Sequence, residues 1–114
     1  MAIQTTVEKN NLATDYGTDA AYGAVYTTAP GASQGTEPSG GSPAYARKAL
    51  TWGAPTNGVI TATATFDIPA GATIVGIGVH TAVTAGTYLD GATVTSQAFA
   101  TQGTLAVTFT YTQS

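Results

Sequence analysis

The stretch Val59-Ile-Thr-Ala-Thr-Ala-Thr-Phe-Asp-Ile68 decides the fold class. Ile60, Ala62, Ala64, Phe66 and Ile68 fall on one side of an extended chain. Val59, Thr61, Thr63, Thr65 and Asp67 fall on the other. Successive side chains of a strand point to opposite faces, so this alternation describes a half-buried strand with β-branched threonine turned to water. Before it, Thr56-Asn57-Gly58 carries the Asn-Gly turn signal; after it, Pro69-Ala70-Gly71 is a second turn.

Working outward, Thr73–His80 reads as the next strand. Thr73, Val75, Ile77 and Val79 oppose Ile74, Gly76, Gly78 and His80, so both faces are partly apolar. That pattern predicts a central strand covered on both sides. Gly76 and Gly78 leave part of one face without side chains, which invites another group to approach the backbone closely. Thr84-Ala85-Gly86 turns into Thr87–Leu89, Asp90-Gly91 predicts a further hairpin, and a strand is expected over Ala92–Ala100. Leu105, Val107, Phe109 and Tyr111 alternate with small and hydroxyl residues in a final strand ending near Ser114. Upstream, Tyr22–Thr28 alternates as a strand, Pro30–Pro43 is a long Pro/Gly/Ser loop, and Ala44–Trp52 is extended. Ile3 to Tyr16 reads as a short helix, with Ile3, Val7, Leu12 and Tyr16 as its stripe and an interruption at Asn10-Asn11, or as an extended arm. Six to eight short strands at this spacing predict an all-β, single-domain antiparallel β-sandwich or jelly-roll. Residues 1–20 would be the arm or short helix, and residues 21–114 the sandwich with its long loop at 30–43.

Composition narrows the function. The chain has 114 residues, enough for one domain, and no cysteine, which removes disulfides and thiol chemistry. Only 8% of residues are charged, against about a quarter in a typical domain, and the net charge is −3. Nucleic-acid binding needs a basic patch, so none is expected. A near-neutral, threonine-rich surface favours association, so a homo-oligomer, with a trimer as one form, is expected. No apolar run approaches the roughly 20 residues that span a bilayer, so no membrane insertion is expected. The N-terminal residues lack a basic region followed by an apolar one, so cytoplasmic synthesis without a secretory signal is expected.

Catalytic motifs are weak. Gly31-Ala-Ser33-Gln-Gly35 matches the G-x-S-x-G elbow, yet no helix pattern follows it and no α/β architecture surrounds it. His80 is the single histidine; Asp67 or Asp90 could pair with it, but a hydrogen-bonded histidine at a strand end is the commoner arrangement. Asp15-Tyr-Gly-Thr-Asp19 offers oxygen ligands without the density of a calcium loop, so a turn capped by Asp is expected there. No enzyme activity, cofactor or metal is expected. The segment Ser39–Gly53 is the least ordinary. It holds Tyr45, Arg47, Lys48 and Trp52. With Tyr22 and Tyr26 these are the candidate interface residues, because aromatic and arginine side chains anchor interfaces. Arg47 and Lys48 are adjacent and would point to opposite faces of a strand, each reaching a partner's carboxylate or lying along apolar surface.

The stretch Ser39-Gly-Gly-Ser-Pro-Ala-Tyr-Ala-Arg-Lys-Ala49, with Thr51-Trp52-Gly53, Phe66-Asp-Ile-Pro-Ala-Gly71 and Val107-Thr-Phe-Thr-Tyr-Thr112, resembles a known family. These segments are similar to small virion proteins of tailed phages that infect actinobacteria, variously tail-fibre-like, minor-tail or head-decoration proteins. The likeness covers roughly residues 20–114. It implies a structural protein of the virion, assembled in the host cytoplasm. The leading expectation is a capsid decoration protein docking on the major capsid protein. The alternatives are a minor-tail or tail-fibre-like protein that joins tail proteins and contacts the host surface, or a carbohydrate-binding module using Tyr22, Tyr26 and Trp52.

Overall fold

The computed structural model describes residues 3–113. It is all-β apart from one short N-terminal helix. The helix α1 spans Thr6–Asp19, and the strands are β1 (Tyr22–Tyr26), β2 (Lys48–Ala49), β3 (Val59–Ile68), β4 (Thr73–His80), β5 (Tyr88–Ala98) and β6 (Gly103–Thr112). Two antiparallel sheets form. One is four-stranded in the order β2-β1-β4-β5, and the other pairs β3 with β6.

β3 follows its alternation without a slip: Ile60, Ala62, Ala64, Phe66 and Ile68 are buried, and their neighbours are exposed or half-buried. Ten residues pair with β6 in unbroken register, Val59 opposite Thr112 and Ile68 opposite Gly103. The Asn-Gly turn is present, with Asn57 at φ 50° and Gly58 at φ 78°. β4 is central as its two apolar faces predict. One face of the four-stranded sheet meets the two-stranded sheet, where Val25, Val79, Ala62, Ala64, Phe66 and Phe109 form the core. Gly23 belongs to this face, since a Cβ there would strike the Phe109 ring. The other face carries Tyr26, Gly76, Gly78 and His80. Tyr26 lies over Gly78 and Pro30 over Gly76, so the two glycines admit the groups whose approach their spacing suggests.

Four expectations are corrected. The helix begins at Thr6, whose preceding Thr5 Oγ1 accepts from Glu8 N at 3.3 Å, and runs through Asn10-Asn11. Asn10 does not break it because its Oδ1 accepts from Gly58 N at 2.8 Å, which gives the side chain a tertiary partner. Nor is there a Val7 stripe: Val7 is 72% exposed, and Ala13 is the buried residue. Asp15–Asp19 is helix and not a capped turn. The Asp90-Gly91 hairpin is absent. Both residues lie inside β5, where Gly91 sits opposite Gly78 and beneath Pro30 and the Tyr88 hydroxyl, so this glycine serves packing and not chain reversal. The reversal falls at residues 81–86, with Ala85 at φ 54° and Gly86 at φ 71°. Within Ala44–Trp52, read as extended, only Lys48–Ala49 pair with β1, because Tyr45 and Arg47 are held by side-chain bonds and Trp52 turns toward α1.

Candidate functional site

The unusual segment and the long loop meet on the outer face of the four-stranded sheet. The loop after β1 folds back on itself, with Thr27 N donating to Thr36 O at 2.7 Å and Thr36 N to Thr28 Oγ1 at 2.8 Å. Its fold brings Glu37 beside Arg47. The guanidinium grips that carboxylate from Nη2 at 2.9 Å and from Nε at 3.1 and 3.3 Å. Its remaining nitrogen, Nη1, donates to Ala82 O at 3.0 Å and Ala85 O at 2.8 Å, in the reversal after β4. Arg47 thereby fastens the long loop to a second loop far away in sequence. A planar fork of donors is suited to this, whereas an ammonium would not match both sets of acceptors.

Tyr45 completes the cluster. Its hydroxyl donates to Glu37 Oε1 at 2.7 Å and accepts from Val25 N at 3.2 Å, beyond the point where β2 stops pairing with β1. The ring stacks on Phe66 at 6.4 Å. Burial would raise the Glu37 carboxyl, but the hydrogen bonds from Arg47 and Tyr45 outweigh it and hold the group below its ordinary value of 4.5. Burial, and then the hydrogen bond to Glu37, push the Tyr45 phenol far up, so it stays a neutral donor.

Beside this cluster Tyr26 Oη and His80 Nε2 are 2.6 Å apart, and both residues are fully buried. His80 Nδ1 meets no hydrogen-bond partner among the described residues. An imidazolium here would bury a charge with an unpaired N–H. Burial first, and the Arg47 charge second, lower the His80 pKa from 6.5, with Glu37 opposing. The hydrogen-bonded histidine expected at a strand end is therefore observed, and its partner is a tyrosine. Asp67 instead pairs with Lys48 at 3.3 Å, and Asp90 Oδ1 accepts from Gly91 N at 2.8 Å.

Stability should fall with acid in two stages. A folded-state pKa depressed below 6.5 means the unfolded chain binds the His80 proton first. The contribution of neutral His80 is complete above about 6.5 and declines as pH falls below it. Glu37, also depressed, contributes fully above its ordinary value and loses that contribution as pH falls through its folded pKa. A melting-temperature series from pH 8 to about pH 2 should be flat at the alkaline end and then decline in those two stages. His80→Phe should flatten the first stage; an unaltered first stage would assign it to another group.

The six candidate interface residues do not make one surface. Tyr26 is wholly internal. Tyr45 and Arg47 bind the chain's own Glu37, and Lys48 its own Asp67. Arg47 and Lys48 thus do diverge to separate carboxylates. Trp52 Nε1 donates to Ala20 O at 2.8 Å, and its ring meets Tyr16 edge-on at 6.2 Å. Tyr22 is half-buried at the start of β1. Ser33 of the G-x-S-x-G match is exposed in a loop, and no helix follows it. No group of three or more potential metal-ligating residues occurs among the described residues. Glu37 is the residue that sequence reasoning passed over. Its signal was a solitary acid in an uncharged loop, ten residues before the single arginine. Tyr16 and Tyr111, stacked at 3.7 Å, join α1 to β6 and carried no comparable signal.

These features define a small β-sandwich whose conspicuous polar and aromatic side chains bond within the chain. The family model described as podophage GP4 fiber I protein gp80 matches residues 8–113, and the chain belongs to that family. It is a phage structural protein and a component of the virion. No curated protein and no solved structure matches it.

Proposed function

We propose that this chain is a non-enzymatic building block of a fibre on the phage tail, and not a decoration protein of the capsid. The observation that carries this reading is the match to a fibre family over residues 8–113. The use of Arg47, Tyr45, Tyr26 and His80 as internal fasteners supports a mechanical role, because those groups would otherwise be the candidates for chemistry. In this reading its partners are tail proteins, and the fibre contacts the host surface. The string Ser39–Ala49 supports an actinobacterial host through the resemblance it carries.

Copy number tests the position. Quantitative mass spectrometry of purified particles should give a ratio to the major capsid protein of a few per cent or less. A ratio near one, or a simple fraction such as one third, would return the protein to the capsid lattice. Absence from particles would end the virion reading.

A further inference from the structure

A cleft of about 90 Å³ lies between α1, β5 and β6. Tyr16, Trp52, Tyr111 and Asp90 line it, together with the apolar Ile77 and Phe109. The three large rings come from separate parts of the chain and are held in place. Tyr16 stacks on Tyr111 at 3.7 Å, and Trp52 meets Tyr16 edge-on at 6.2 Å. The Trp52 Nε1–H donates to Ala20 O and the Tyr111 hydroxyl to Gln113 Oε1, so neither donor is left for a ligand.

Asp90 is the one charged residue of this lining. Its register sets its direction. Asp90 pairs with Val79, and residues opposite each other in an antiparallel pair share a face. Val79 belongs to the core, so the Asp90 carboxyl leaves β5 on the side of the two-stranded sheet, toward the rings. Burial, and then the Asp90 charge, push the Tyr16 phenol up, which shows the field of the carboxylate reaching that ring. Among the described residues Asp90 pairs with no cation. Arg47 is bound to Glu37 and Lys48 to Asp67, and Lys9, the third basic residue, does not line the cleft.

A carboxylate set against three aromatic rings is the chemistry that holds an organic cation, because the negative ring faces attract the charge, those of tryptophan most strongly. Size selects the kind of cation. At about 90 Å³ the cleft is far below the roughly 300 Å³ at which pockets for drug-sized molecules begin, so it takes one compact group and not a sugar ring with its substituents. Donors select further. A primary ammonium carries three N–H donors, and the lining sets one carboxylate against them. A quaternary ammonium carries none and turns its methyl groups to the rings.

We infer that this cleft binds the quaternary ammonium headgroup of a small molecule, with Tyr16, Trp52 and Tyr111 as its walls and Asp90 as its counter-charge. The site is a property of the isolated chain, so it stands or falls separately from the position of the protein in the virion.

Trp52 is the single tryptophan, so its fluorescence reads the cleft directly. Choline, added to the full chain at constant ionic strength, should change the emission in a saturable way in the millimolar range. Its neutral isostere, in which a tert-butyl group replaces the trimethylammonium, should bind at least about tenfold more weakly. In a heteronuclear NMR titration the amide shifts should centre on residues 90–92 and 110–111, which line the cleft. Asp90→Asn keeps the shape of the side chain and its bond to Gly91 N, so the melting temperature should hold while choline affinity falls roughly tenfold. Equal binding of choline and its isostere, shifts centred elsewhere, undiminished affinity in folded Asp90→Asn, or no saturable response would each overturn the inference. So would glucose shifting these amides where choline does not, which would make the cleft a sugar site. The comparison of choline with its isostere is made on the wild-type chain, so it decides even where the variant fails to fold.

Discussion

Arg47→Ala should lower stability by roughly 3 kcal/mol, which for a domain of this size is a fall of about 12 °C in melting temperature. The side chain is 8% exposed and its partner Glu37 20%. Removing one member of a buried pair costs about 3–5 kcal/mol, because the other charge stays behind without compensation. The partial exposure of Glu37 places the expectation at the lower end of that range, since water can reach the stranded carboxylate. The loss is not confined to one ion pair. Ala82 O and Ala85 O lose their donor as well, and Ala85 sits at φ 54°, a conformation that a non-glycine residue needs its surroundings to hold. Arg47→Lys retains the charge but cannot serve the carboxylate and both carbonyls, so it should recover at most half of the loss. Thermal melting of the three proteins decides the matter. A fall below about 1 kcal/mol for Arg47→Ala would put the pair in the class of surface ion pairs and remove the clamp from the account of the fold. Hydrogen exchange gives a second reading: amides at residues 27–37 and 81–86 should lose protection before those of β3, because the clamp ties those two loops and no part of the two-stranded sheet.

The β-sheet half of this chain was legible because its periodicity is enforced by burial. β3 must hide one face and wet the other, so its sequence carries the alternation directly, and β4 shows by its two apolar faces that it is covered twice. The Asp90-Gly91 reading failed for a related reason. Glycine marks a turn when it needs positive φ, and it equally marks a strand where another group presses on the backbone; the dipeptide does not distinguish these. Only the fold shows Pro30 and Tyr88 above Gly91. The candidate site was half legible. That Arg47 and Lys48 diverge follows from adjacency, but the carboxylates they reach belong to this chain and not to a partner. Which carboxylates they reach depends on how an irregular loop folds, and Pro30–Pro43 carries no periodicity from which to read it. The capsid-decoration expectation came from a resemblance that spans head and tail proteins alike, and the fibre family favours the tail. Helix α1 was weakly legible because its attachment rests on a few specific contacts, through Asn10, Ala13 and Tyr16, and not on an apolar stripe.

Gly78→Val should destabilise the domain by about 4 kcal/mol, combining overpacking with the loss of a buried hydrogen bond. The backbone at Gly78 is not left-handed, so the cost is steric and not conformational. A Cβ at this position would overlap the phenol end of Tyr26. The ring has nowhere to retreat. Tyr26 is fully buried, its hydroxyl is bonded to His80 Nε2 at 2.6 Å, and Gly35 lies against its Cβ and Cγ. Moving the ring would break the His80 contact and lift the loop that Thr27 and Thr36 close. Gly53→Ala is the control: its nearest neighbour would be Thr61 O at 3.8 Å, ordinary contact, and its effect should stay within about 0.5 kcal/mol. The mechanism itself is tested by a double-mutant cycle with Tyr26→Ala. That change alone opens a cavity and should cost about 3–5 kcal/mol. With the ring gone the valine at position 78 has room, and it fills part of the space. The double mutant should therefore be more stable than the sum of the two losses predicts, by more than 1 kcal/mol. Strict additivity would mean that residue 78 and Tyr26 do not share the space, and that the spacing of Gly76 and Gly78 has a cause other than the ring packed over it.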